Sequence, residues 1–194
     1  MNTKIAIFCS GSGSNAQQIM DYFQHSDDIK VAVLMANKQD AYALERAKKM
    51  NVPTRVFNRT DFYETDRVIE ELRKFEVDWI VLAGFLWLIP ENLVKKFPNK
   101  IINIHPALLP KFGGKGMYGM NVHNAVVANK EKETGITIHF VNSNYDEGNI
   151  IFQVSCAVGS QDKAEDVAKN VLALEHEHFP KVIEKSIRDT SLKN

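Results

Sequence analysis

The chain has 194 residues, with 24 Lys plus Arg against 24 Asp plus Glu, and two cysteines. That length is enough for one substantial core, and the balanced charge leaves no electrostatic footprint for nucleic acid or a membrane surface. Cys9 and Cys156 form no CxxC, which argues against a disulfide scaffold or structural zinc and for a reducing, cytoplasmic setting.

The chain start, MNTKIAIFCSGSG, is too short in apolar residues for a spanning helix and has no signal-peptide cleavage region. Its first strand is expected over 4–10, followed by a glycine turn and a helix over 14–24. A strand over 30–36 leads to a helix over 40–50, and a short strand follows over 54–58. Phe62, Val68, Ile69 and Leu72 recur at helical spacing and predict a helix over 61–75. Strands over 78–84 and 100–105 complete an alternating β-α rhythm. The strands are apolar almost throughout, as strands covered on both faces should be. The second half changes rhythm. A helix is expected over 119–129, then two strands over 134–142 and 149–158 separated by the turn-like SNYDEG, which suggests a hairpin. A final helix over 162–188 is expected to be interrupted near Pro180. The fold class is therefore α/β: a single doubly wound, mostly parallel sheet, Rossmann-like in its N-terminal half, with a C-terminal β-hairpin and a long final helix.

Gly11-Ser12-Gly13-Ser14-Asn15-Ala16 fits the dinucleotide pattern GxGxxA. The acid expected after the second strand is absent, since Asn37-Lys38 stands there and Asp40 comes late. No GK[ST] follows, so this is not a Walker loop. Two readings stay open. The backbone N–H groups of Gly13, Ser14 and Asn15 can form an anion site at a helix start. Alternatively the stretch is a tight turn with Ser14 as N-cap and Gln17 closing a capping box.

NIHPALLP, at 103–110, places two polar residues in an apolar strand. Residues two apart on a strand share a face, so Asn103 and His105 project together, and Pro106 ends the strand at its carboxyl rim, where open α/β sheets collect ligands. They are either rim polars bonded to nearby backbone or two donors for an oxygen that becomes negative in acyl transfer. Asp146, in the turn before the second hairpin strand, is either a turn-former or the carboxylate that orients His105 and raises its pKa. KFGGKGMYGMN, at 111–121, is the most glycine-dense stretch and a candidate mobile loop. Glu175-His176-Glu177-His178 is not HExxH, its histidines diverge on a helix, and no metal is expected. His139 reads as a core or sheet-face histidine, and Cys9 as small-apolar packing.

The ordered set SGSGSN (10–15), NK (37–38), LERAKK (44–49), VLAGF (81–85), NIHPALLP (103–110), TGITIHFV (134–141), DEGNII (146–151) and LEHEHFP (174–180) resembles the phosphoribosylglycinamide formyltransferases of purine synthesis, across nearly the whole chain. The resemblance implies one formyltransferase domain over 1–194, with a phosphate- and nucleotide-binding half at about 1–100 and a catalytic and folate-binding half at about 101–194. It implies formyl transfer from the cosubstrate 10-formyltetrahydrofolate to the amine of phosphoribosylglycinamide (GAR), by a monomer or homodimer with small-molecule substrates and without metal, nucleic acid or membrane. It makes Asn103, His105 and Asp146 catalytic, with Asp146 keeping His105 charged. It assigns the substrate phosphate to Gly13, Ser14 and Asn15, and the ribose to Glu175. The folate falls to Leu86, Trp87, Leu88, Ile89, Asn103, Asn142, Asn144 and Arg59. The chain departs from the family pattern at Ala107, usually serine; at Trp87, often basic; and in a longer loop after residue 110, with His123 assigned to the substrate loop. Two relatives of the same chemistry, formyltetrahydrofolate deformylase and methionyl-tRNA formyltransferase, carry extra domains for which 194 residues leave no room. A nucleotide or redox-sensor module is the reading from another class, and the missing acid after the second strand speaks against it.

Overall fold

The apolar run after Thr3 becomes β1 (Thr3–Cys9), a strand whose residues from Ile5 to Cys9 are all buried. The structure is a computed structural model and describes residues 2–192, which fall into two compact units, one through Ile102 and one from Asn103. Strand order is β3-β2-β1-β4-β5-β6-β7, with the unit boundary inside β5 (Ile101–His105).

In the first unit, β1 pairs in parallel with β2 (Ile29–Ala36) on one side and β4 (Trp79–Leu82) on the other. β3 (Thr54–Val56) continues outward from β2, also parallel. The chain therefore winds out from β1 and returns on its other side, which creates a topological switch point at the carboxyl ends of β1 and β4. Helices α1 (Ser14–Phe23) and α2 (Tyr42–Lys49) are the crossovers on either side of β2. The single helix expected over 61–75 is two: α3 (Arg59–Tyr63) and α4 (Arg67–Lys74). Asn58 and Asp61 cap α3 reciprocally, and the Thr65 hydroxyl donates to the Asp61 carbonyl while accepting from the Arg67 N–H, so a polar knot ends one helix and starts the next. The apolar spacing was still informative, because Phe62, Val68, Ile69 and Leu72 are all buried. A short helix, α5 (Glu91–Lys96), follows Pro90 and has no counterpart in the sequence reading.

In the second unit, β6 (Glu133–Phe140) and β7 (Ile150–Ala157) form the expected antiparallel hairpin, with a register slip between Ile138 and His139. Helix α6 (Met120–Ala128) packs on α7 (Ala164–Ser191), which also covers β6 and β7. The expected interruption at Pro180 does not occur, and α7 runs through it. An interior proline costs a helix about 3 kcal/mol; the buried face that includes Val171, Phe179, Val182 and Ile183 offsets that. Among the described residues no helix is long and apolar enough to cross a membrane.

Candidate active site

The glycine loop of the first unit is shaped by where its carbonyls go. The Gly11 carbonyl accepts from the Ala43 N–H at 3.2 Å, and the Ser12 carbonyl accepts from Arg46 Nε at 2.9 Å. In a trans peptide the N–H points opposite to the C=O, so the N–H groups of Ser12 and Gly13 are turned away from α2. Gly13 is left-handed, with φ 71°, and a side chain there would collide with Ala43. The capping alternative is corrected: Gly13, not Ser14, is the N-cap, no side chain caps the helix, and Gln17 reaches Asp21 instead of closing a box. With no acid in the first turn of α1, that end carries the positive pole of the helix dipole unopposed.

The loop also touches the segment after β4. Ser10 N–H donates to the Gly84 carbonyl and the Leu86 N–H donates to Ser10 Oγ, both at 3.1 Å. Beyond it, Leu86 is exposed, Trp87 and Leu88 are half-buried, and Ile89 is buried. The Tyr63 hydroxyl donates to the Leu88 carbonyl at 2.9 Å. Trp87 joins an aromatic wall with Phe57, Phe62, Tyr63 and Phe85. The guanidinium of Arg59 lies 4.9 Å from the Tyr63 ring centre and 5.8 Å from that of Trp87. The cation absent from position 87 is thus supplied at the same place by another segment. At the end of β2, the side-chain amide of Asn37 is buried and has no hydrogen-bond partner among the described residues. An orphaned buried amide of this kind calls for a role.

The second unit brings the expected trio together. His105 Nδ1 is 3.5 Å from Asp146 Oδ2, and His105 Nε2 is 2.7 Å from the Phe112 carbonyl. A carbonyl can only accept, so Nε2 carries a hydrogen, and Nδ1 is the position where His105 gains or loses its proton. Burial pushes the His105 imidazole down, and it outweighs the upward pull of the Asp146 charge and the Phe112 carbonyl. Burial thus works against the expected charging of His105 by Asp146, whose carboxylate pulls the imidazole the other way. Burial pushes the Asp146 carboxyl up, but the His139 side chain, the His105 charge and the Gly114 N–H together hold it below the usual aspartate range. The Gly114 N–H donates to Asp146 Oδ2 at 2.9 Å, and Asp146 itself sits at φ 56°.

Asn103 Nδ2 is 3.1 Å from His139 Nε2. His139 Nδ1 is 2.8 Å from the Phe140 carbonyl and must donate to it, so Nε2 accepts from Asn103 and fixes the rotation of its amide. The same Nε2 is 3.7 Å from Asp146 Oδ1. The sequence reading of His139 as a plain sheet-face histidine missed this orienting contact. The signal was available: Thr137 and His139 share a face of β6 just as Asn103 and His105 share one of β5. Thr137 Oγ1 indeed donates to the Ala107 carbonyl at 2.7 Å and accepts from the Leu109 N–H at 2.9 Å, which holds the turn after His105.

Asn142 and Asn144 lie in the hairpin loop that presents Asp146. Asn142 Oδ1 accepts from the Asn144 N–H at 2.9 Å, and Asn144 Nδ2 donates to Glu147 at 2.7 Å, so both shape that loop. Glu175 is buried on α7, and neighbouring His178 stacks near Phe152 with ring centres 5.1 Å apart. His123 sits on α6 rather than in the glycine loop, is buried, and leaves Nδ1 without a partner among the described residues. No group of three or more His, Cys, Asp or Glu among the described residues is placed to hold a metal.

Comparison with known proteins fits this geometry into one family. The model of the family described as "Formyl transferase" matches residues 3–183. A chloroplastic phosphoribosylglycinamide formyltransferase of Arabidopsis thaliana is 42% identical over 93% of this chain and 64% of its own length. The chain spans 60% of a similar chloroplastic protein from Vigna unguiculata. The phosphoribosylglycinamide formyltransferase of Haemophilus influenzae is 38% identical, over 93% of this chain and 85% of its own. A crystal structure of the enzyme of that name from Anaplasma phagocytophilum superposes with TM-score 0.88 at 32% identity, covering 97% of this chain and 89% of that one.

Proposed function

The chain belongs to the formyl transferase family, and on that premise we propose that it moves a formyl group from 10-formyltetrahydrofolate to the amine of GAR, giving formylglycinamide ribonucleotide and tetrahydrofolate in purine biosynthesis. The observation that carries this reading is the meeting of Asn103, His105 and Asp146 in one polar cluster. In the proposed reaction the amine attacks the formyl carbon and a new C–N bond forms. The carbonyl electrons move to oxygen, where His105 Nε2–H and the second N–H of the Asn103 amide donate to the growing charge. Asp146 Oδ2, facing His105 Nδ1, orients the ring for that donation. Asp146, through a water, accepts the proton lost by the amine and delivers it to N10 as the C–N10 bond breaks. His139 keeps the Asn103 amide turned for this task.

Gly13, Ser14 and Asn15 are assigned the GAR phosphate and Glu175 its ribose. The pterin is assigned to the segment from Leu86 to Ile89 with Asn142 and Asn144, and Arg59 is assigned the acidic folate tail. Support for the phosphate assignment comes from the outward-turned N–H of Gly13 and the unopposed dipole at the start of α1, and for Arg59 from its stacking on Trp87. We assign no metal to the reaction, take the chain as one formyltransferase domain, monomeric or homodimeric, and place it in the cytoplasm. The test is to incubate the protein with 10-formyltetrahydrofolate with and without GAR. Tetrahydrofolate released only with GAR, in equal amount with formylated product, supports the proposal. Formate released without GAR identifies a deformylase, and no turnover in either tube removes formyl transfer altogether.

A further inference from the structure

Both polar atoms assigned to chemistry are already engaged by the protein's own backbone. The Phe112 carbonyl lies 2.7 Å from His105 Nε2, and the Gly114 N–H lies 2.9 Å from Asp146 Oδ2. One peptide segment thus offers a carbonyl oxygen to the histidine and an N–H to the carboxylate, the same acceptor and donor that a formyl oxygen and the proton-relaying water would present. We infer that residues 112–114 are an internal stand-in for the reacting groups: docked, they occupy the positions of the formyl oxygen and of the water that relays the amine proton, and substrates bind by displacing them. This rests on the formyl-transfer reading above.

The segment is built for close docking and for release. Gly113 fits because it has no side chain: a Cβ there would lie 2.6 Å from Leu109 Cδ2 and 3.4 Å from the Asp146 Cβ. Phe112 is held at φ 55°, a left-handed conformation that a bulky residue adopts under strain. Gly114, Gly116 and Gly119 also take positive φ, at 94°, 90° and 53°. The docked form therefore stores backbone strain that undocking relieves, while the glycines keep other conformations open. The outer half of the loop faces solvent, with Lys115, Gly116 and Tyr118 exposed, so little packing resists the movement. Its start is anchored separately by the Lys111–Glu131 ion pair at 3.0 Å, and its end by α6.

A competitor that must leave lowers apparent affinity by the fraction of molecules in which it is docked. Two variants disfavour docking by different physics. Gly113→Ala places a Cβ 2.6 Å from Leu109 Cδ2, which must shift, and Gly114→Ala places a side chain at φ 94° in open space. For each, two quantities are measured on protein shown to be folded by thermal unfolding: the dissociation constant of a folate analogue with carbon in place of N10, whose carbonyl cannot be transferred, and the rate of His105 modification by diethyl pyrocarbonate, read by peptide mass mapping. The expectation is tighter analogue binding and faster modification, each by about tenfold, the size of a left-handed penalty on alanine. Weaker binding with unchanged modification in both variants would make the segment a fixed scaffold for His105 and Asp146, and would overturn the inference alone. Failure of the unaltered protein to bind the analogue would overturn the formyl-transfer reading as well.

Discussion

The two units solve different problems with different material. The first unit presents backbone: peptide N–H groups fanned out by Gly13, carbonyls tied back to Ala43 and Arg46, and an aromatic wall around Trp87. The second presents ionisable side chains: His105 and His139 both approach Asp146, and His139 holds Asn103. Backbone dipoles hold a charged ligand without titrating, which suits binding. An imidazole with its proton-exchanging nitrogen against a carboxylate suits catalysis. The contrast predicts that damage to the first unit's site reads out in KM and damage to the second's in kcat.

The largest effect should come from the second unit. His105→Ala or Asp146→Asn is expected to lower kcat by about 10²–10³ with KM for GAR changed only severalfold, as for loss of an oxyanion donor. Steady-state kinetics checks this, and a pure KM effect would break the comparison. Gly13→Ala comes next. It combines left-handed strain with overpacking against Ala43, together about 2–4 kcal/mol of stability, and it should raise KM for GAR about tenfold while kcat on folded protein stays within severalfold. Urea unfolding and kinetics measured together separate the two consequences. Arg46→Met is smaller: losing the bond to the Ser12 carbonyl frees that peptide to rotate and should raise KM for GAR by about three- to tenfold.

The last prediction concerns pH. Burial holds His105 and His123 below the ordinary histidine value, so on acidification the unfolded chain takes up their protons first. Stability is then full above about pH 6.5, the unfolded histidine value, and falls as pH drops below it. Asp146, also held low, adds a loss of the same sign in the more acidic carboxylate range. His105→Gln should flatten the decline between pH 7 and 5 in urea titrations; an unchanged decline would mean that burial does not control His105.

Much of this was legible beforehand because it rests on periodicity. The buried strands announced themselves as apolar runs, and the i, i+2 rule put Asn103 and His105 on one face. The same rule applied to Thr137 and His139 would have found the residue that orients Asn103. Other features leave no such trace. The break between α3 and α4 depends on side-chain hydrogen bonds by Asp61 and Thr65 inside an unbroken apolar pattern. The passage of α7 through Pro180 depends on burial around it. The carbonyl of Phe112 and the N–H of Gly114 belong to the backbone, which every residue has, so no sequence pattern marks where they point. The downward push on the His105 imidazole likewise follows from burial, which residue spacing alone does not give.

Asn103, His105 and Asp146 are expected to act as one chemical unit. A double-mutant cycle on His105→Ala and Asp146→Asn, read in single-turnover formyl transfer, tests it most directly. Groups that act together lose their function once. The double variant should therefore be no more than severalfold slower than the slower single variant. A rate lowered by the full product of the two single effects would show that His105 and Asp146 contribute independently, and would contradict the account.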